Sequence, residues 1–127
     1  MNLINTSSDV ELMDLCKKLG LKNYIVCSKP DFKKNLKKYD NIIFNLSPLR
    51  YGGTHWVCVN KPKKMYFDAY AQDKPTVVPS DYKLASSHKE IEAIDGQNCG
   101  QLCVLWLYYV NFKSNADYYR LFRDIYR

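Results

Sequence analysis

Three residues of this chain have the side chains and the neighbours that nucleophilic chemistry needs. Cys99 stands where the polar Gln97-Asn98 gives way to an apolar run from Leu102 to Val110. Such a run predicts a buried helix that opens at Cys99. Its sulfur would lie among backbone N–H groups without intrahelical acceptors and at the positive end of the helix dipole, and both favour thiolate over thiol. Gly100 beside it permits close approach of another backbone or of a substrate. The chain has 2 histidines. His55 follows Gly52-Gly53-Thr54 and precedes Trp56, which suits a ring held at a rim where a strand begins. His88, among Ser86, Ser87 and Lys89, reads as a surface residue. Asp68 sits in Tyr66-Phe67-Asp68-Ala69-Tyr70, an apolar strand in which a carboxylate must find a partner to offset its desolvation.

Two uses of these groups compete. In one, Cys99 is a nucleophile, His55 its base and Asp68 the carboxylate that holds the imidazole tautomer. In the other, His55, Cys58, Cys99 and Cys103 bind zinc. Strand geometry opposes the second, because residues 55 and 58 point to opposite faces, and Cys103, one helical turn beyond Cys99, reads as core. A purely structural Cys99 in a packed helix is the third reading.

The elements that would position these residues can be read in order. Ser8-Asp9-Val10-Glu11 has the capping-box pattern and opens a helix over residues 9–19, with Val10, Leu12, Met13, Cys16 and Leu19 at helical spacing on its apolar side and Gly20 as its stop. Cys16 reads as a buried structural thiol. Residues 24–27 suit an edge strand. Pro30 begins a brief helical turn whose Lys33, Lys34, Lys37 and Lys38 share one side, either a solvated face or a surface for nucleic acid. Residues 41–46 read as a buried strand. Residues 55–60 and 65–70 form a hairpin about Lys61-Pro62-Lys63-Lys64, which would bring Asp68 to the sheet end of His55. Residues 71–89 are irregular, and a strand over 90–94 leads through Asp95-Gly96 to the central helix. Ser114 or Asn115 caps a last helix with Tyr118, Leu121, Phe122 and Ile125 inward and Arg120, Arg123 and Arg127 outward. The order implies an α+β domain over residues 1–127.

Composition narrows the partners. With 127 residues the chain can bury a real core as one domain. A formal charge of +6 favours an acidic partner, either nucleic acid or an acidic tail. The 5 cysteines are an odd number and no leader pattern follows Met1, so free thiols in a reducing compartment, rather than secretion, are expected. The longest apolar run is far short of the ~20 residues of a membrane span, so no membrane association is expected.

Gly53-Thr54-His55-Trp56-Val57, Tyr66-Phe67-Asp68-Ala69-Tyr70 and Asn98-Cys99-Gly100-Gln101-Leu102-Cys103, taken in order, resemble the adenain-type cysteine proteases of adenoviruses and related DNA viruses. More distantly they are similar to the SUMO- and ubiquitin-like-protein proteases. Leu12 to Gly20 and the Asn-Ile-Ile-Phe-Asn-Leu stretch at 41–46 stand where that family has a helix and a strand, so the resemblance spans most of the chain. It implies a papain-like fold with the triad in the order His-Asp-Cys and a small mixed or antiparallel sheet flanked by helices. Cys99 would be the nucleophile, His55 the base and later the acid, Asp68 the orienting group, and Cys103 a structural neighbour.

The implied activity is a cysteine endopeptidase that processes viral precursors in virion maturation, cutting after small residues such as Gly-Gly. The alternatives are a deubiquitinating or deSUMOylating isopeptidase acting on modifier tails, and an inactive, basic, nucleic-acid-binding protein of the same fold. The chemistry needs no cofactor or metal, although the resemblance brings DNA or a short activating peptide as an accessory. The expected location is the virion or the host nucleus or cytoplasm. Trp56 would pack beside the site, screening it from water and narrowing the substrate groove, or else serve as a core aromatic. One departure stands out: where the family places a Gln for the oxyanion, this chain has Glu92 and Ala93, and a carboxylate cannot donate unless protonated. Gln97 is the nearby side chain available for that role, with Asn98 beside it.

Overall fold

The computed structural model describes residues 8–46, 55–69, 72–85 and 99–125, the last four by backbone alone. The expected features at His88, residues 90–94, Asp95-Gly96, Glu92 and Gln97, and the side chains of Phe122, Ile125, Arg123 and Arg127, lie outside the described residues.

Ser8 caps the first helix, α1 (Asp9–Lys18), by the reciprocal bonds of a capping box: Glu11 N–H donates to Ser8 Oγ at 3.2 Å and Ser8 N–H to Glu11 Oε1 at 3.1 Å. Gly20, at φ 78, ends it in the left-handed conformation that glycine adopts without strain. Val10, expected on the apolar side, is exposed in the first turn, and Leu12 and Cys16 are the buried residues of the helix. Next come β1 (Tyr24–Ser28), a 3-10 turn (Lys29–Asp31), α2 (Phe32–Leu36), β2 (Asn41–Asn45), β3 (Trp56–Asn60), β4 (Met65–Phe67), β5 (Lys83–Leu84), α3 (Cys99–Phe112) and α4 (Asn115–Ile125). The strands form a mixed sheet in the order β1-β2-β3-β4-β5, with β1 at one edge as expected. The pairs β1–β2 and β4–β5 are parallel, and the central pairs are antiparallel.

Register explains why β2 and β3 are apolar on both faces. Val26, Ile43, Cys58 and Phe67 line up across the sheet and face α1, α3 and α4. Ile42, Val59 and Tyr66 form the alternate row, and with Phe44 and Val57 they face Phe32 of α2 and Val78 and Tyr82. A sheet covered on both sides loses the polar alternation of a half-exposed one. The short β5 falls where irregular chain was expected, because two residues of parallel pairing leave no periodic signature. The hairpin about residues 61–64 forms, with Lys64 at φ 52, but β4 ends at Phe67, so Asp68 follows the strand instead of lying within it.

The central helix is buried on most of its circumference, as its composition requires. Phe67 stacks on Trp106 with ring centroids 5.4 Å apart, and Tyr118 Oη donates to the Leu102 carbonyl at 3.0 Å. Ser114 is the α4 cap, its Oγ accepting from Asp117 N–H at 3.0 Å. At the sheet end where β3 finishes, Asn60 Nδ2 and Asn111 Nδ2 donate to Asn41 Oδ1 at 3.0 and 2.9 Å. These elements make an α+β fold, and among the described residues no helix is long and apolar enough to cross a membrane.

Gly100 is where α1, β3 and α3 meet. A Cβ there would lie 2.9 and 3.0 Å from the Leu12 methyls and 3.1 Å from Trp56 Cδ1. Gly100→Ala is therefore expected to destabilise the fold by about 1–3 kcal/mol in urea unfolding, with part of the loss recovered in the double variant Gly100→Ala/Leu12→Val.

Candidate active site

Cys99 is the first described residue of α3 and only 2% exposed. His55 directly precedes β3 and keeps about a fifth of its side chain exposed, whereas Asp68, directly after β4, is fully buried. The β3–β4 pairing sets Cys58 opposite Phe67. Continued by one step, it puts Asp68 opposite Val57 and diagonal to His55, within reach of its ring.

His55 Nε2 and Asp68 Oδ1 are 3.1 Å apart. His55 also hydrogen-bonds Cys99. A further donor comes from the backbone: Trp56 N–H donates to Cys99 Sγ at 3.2 Å. Burial pushes the His55 pKa down, but the hydrogen bonds to Asp68 and Cys99 and their negative charges outweigh it and raise the value to about 10. The site thus favours an imidazolium beside a sulfur that receives hydrogen bonds, an arrangement suited to a resting thiolate.

The other core thiols differ. Cys103 Sγ donates to the Trp56 carbonyl at 3.5 Å and Cys58 Sγ to the Cys103 carbonyl at 3.8 Å, tying α3 to β3. Burial, with the nearby Cys103, pushes Cys16 up to about 12 and keeps it a thiol. Of the proposed zinc set, Cys58 and Cys103 are engaged with backbone carbonyls. Among the described residues no group of three or more His, Cys, Asp or Glu side chains is placed to hold a metal ion.

Trp56 is 6% exposed and packs next to Gly100, and it brings its backbone N–H to the sulfur. That contact was missed in the sequence; its one signal is adjacency to His55. Lys33, Lys34, Lys37 and Lys38 are exposed; α2 ends at Leu36 with Lys37 as its cap and Lys38 beyond it, and Lys34 pairs with Asp31 at 3.3 Å. Gln97 lies outside the described residues.

Compared with family models, with curated proteins and with solved structures, the chain matches none.

The raised His55 value has a sign that can be tested. The folded state holds the proton up to about 10 against an ordinary 6.5, so this contribution to stability is full below pH 6.5 and disappears as pH rises through about 10. The stability lost in His55→Gln is expected to be larger at pH 6 than at pH 10.5, measured by urea unfolding. In Asp68→Asn the imidazole titration followed by NMR is expected to move down from about 10 toward 6.5.

Proposed function

We propose that the protein is a cysteine peptidase in which Cys99 is the nucleophile, His55 the acid and base, and Asp68 the group that orients the imidazole. The single observation that carries this reading is the meeting of the three side chains, with His55 bonded to both Asp68 and Cys99. The residue types and the order His-Asp-Cys agree with the resemblance to adenain-type proteases, and on that basis the fold is read as papain-like. The proposed substrates are viral precursor proteins cut after small residues such as Gly-Gly.

The chemistry follows from the geometry. The thiolate attacks the scissile carbonyl carbon, and the carbonyl π pair moves onto oxygen. The backbone N–H of Cys99 is proposed as the donor to that oxyanion, as expected where a helix opens at the nucleophile. When the tetrahedral species collapses, the C–N bond breaks and His55 gives its proton to the departing amine. A thioester remains on Cys99. Water then attacks it, His55 takes a proton from that water, and the carboxylate product leaves with the thiolate restored. Asp68 keeps the ring in one orientation throughout and stabilises its charge.

Labelling with a peptide vinyl sulfone ending in Gly-Gly, read by intact mass, tests this. Wild type is expected to take one adduct, Cys99→Ala none, and His55→Ala to label at least about a hundredfold more slowly, the scale on which a positioned base acts. Slow labelling spread over several cysteines and indifferent to His55 would sink the reading. Cleavage of a folded ubiquitin-like fusion, with short Gly-Gly peptides left uncut, would move the assignment to an isopeptidase.

A further inference from the structure

The face of the sheet away from α3 carries a groove of about 550 Å³. Its lining is basic at Lys33 and Lys37, from α2 and its cap, and at Lys61, from the turn after β3, and aliphatic at Leu36, Val77 and Pro79, with Thr76. Its walls are held in place. Phe32, Val78 and Tyr82 are buried beneath them, and Val78 N–H and Tyr82 N–H close turns onto the Pro75 and Pro79 carbonyls, both at 3.1 Å. Lys61 Nζ donates to the Leu36 carbonyl at 2.8 Å, which anchors it at the end of α2 and leaves two of its three N–H donors available. Among the described residues Lys33 and Lys37 have no carboxylate partner and no acidic residue lines the groove.

The groove is separate from the candidate active site. Cys99 meets β3 at Trp56, whereas Lys61 follows the last residue of that strand. Five extended steps separate them by roughly 17 Å.

We propose that this groove is a docking site for an acidic peptide segment of a partner protein, in which an apolar side chain seats against Leu36 and Val77 while flanking carboxylates meet Lys33, Lys37 and Lys61. Charge complementarity selects the sign of the occupant, and the aliphatic wall selects its anchor. The volume lies in the ~300–1,000 Å³ range of sites that enclose a few side chains or a small ligand. Nucleic acid fits less well. Among the described residues no aromatic ring or arginine lines the groove to stack on a base, and its aliphatic lining gives a phosphate chain nothing to bond. A second copy of this chain would bring its own charge of +6 to a basic surface. The inference does not depend on the chemistry of Cys99, and its test is a binding measurement that Cys99→Ala should leave unchanged.

The probe is a short fluorescein-labelled peptide of Asp and Glu with a Leu-Leu centre. It is compared by anisotropy with the same peptide carrying Ser-Ser and with single-stranded and duplex DNA of similar length. The leucine peptide is expected to bind at least about tenfold more tightly than the serine control, because the centre loses apolar contact on substitution. Lys33→Glu/Lys37→Glu is expected to weaken it by about tenfold or more, with the alkylation rate of Cys99 unchanged. Val77→Ser should weaken the leucine peptide and not the serine one. In NMR the amide signals of Leu36 and Val77 should shift on binding. Equal affinity of the two peptides, preference for DNA with the same lysine dependence, indifference to the charge reversal, or no binding would each overturn the proposal.

Discussion

The 3.2 Å contact between Trp56 N–H and Cys99 Sγ requires the first residue of β3 and the first described residue of α3 to meet at one end of the sheet. Everything else at the candidate site follows from that meeting. His55 sits one residue before the contact, and Asp68 reaches it across the adjacent strand. Cys103, one helical turn on, repeats the attachment by donating to the Trp56 carbonyl. A shift of α3 by one residue along β3 would rotate Cys99 by about 100 degrees around the helix and carry the sulfur away from the imidazole.

The far end of the same helix guards against such a shift. Asn41 accepts from both Asn60 and Asn111, and its own Nδ2 donates to the Lys22 carbonyl at 3.0 Å. This amide network joins β2, β3, α3 and the chain entering β1 where the sheet ends opposite Cys99. Buried amides lose their bonds if the register slips, so the polar cluster specifies alignment in a way the surrounding apolar contacts do not. Between the two ends, the Phe67–Trp106 stack and the Tyr118 bond to Leu102 press α3 and α4 onto the sheet.

The electrostatics of the site and of the opposite face differ in kind. At Cys99 a buried carboxylate, an imidazole and a sulfur compensate one another, and the backbone N–H of Trp56 supplies a donor that no substitution of its side chain removes. On the other face, exposed lysines surround an aliphatic wall and make few bonds within the chain. Charges of the first kind are held by geometry and little screened by salt. Charges of the second kind attract partners over a longer range and weaken as salt rises.

Much of this was legible in the residues themselves. Ser8 and Glu11 announced the start of α1, Gly20 its end, and the apolar run after Cys99 announced a central helix, because capping and burial act over a few neighbouring positions. The turn at residues 61–64 was equally local, and it made the approach of Asp68 to His55 a reasonable expectation. Pairing over long distances was not legible. The two-residue β5, the parallel edges of the sheet and the asparagine network join segments whose sequences carry no mark of their partners. The position of Trp56 was open for the same reason: an indole suits both a rim and a core, and only packing against Leu12 and Gly100 chose the core. The sequence by itself determined which residues could do chemistry and which local elements carry them. The tertiary structure alone decided that Cys99, His55 and Asp68 meet, because that depends on strand register and on the docking of α3, set by side chains far apart in the chain.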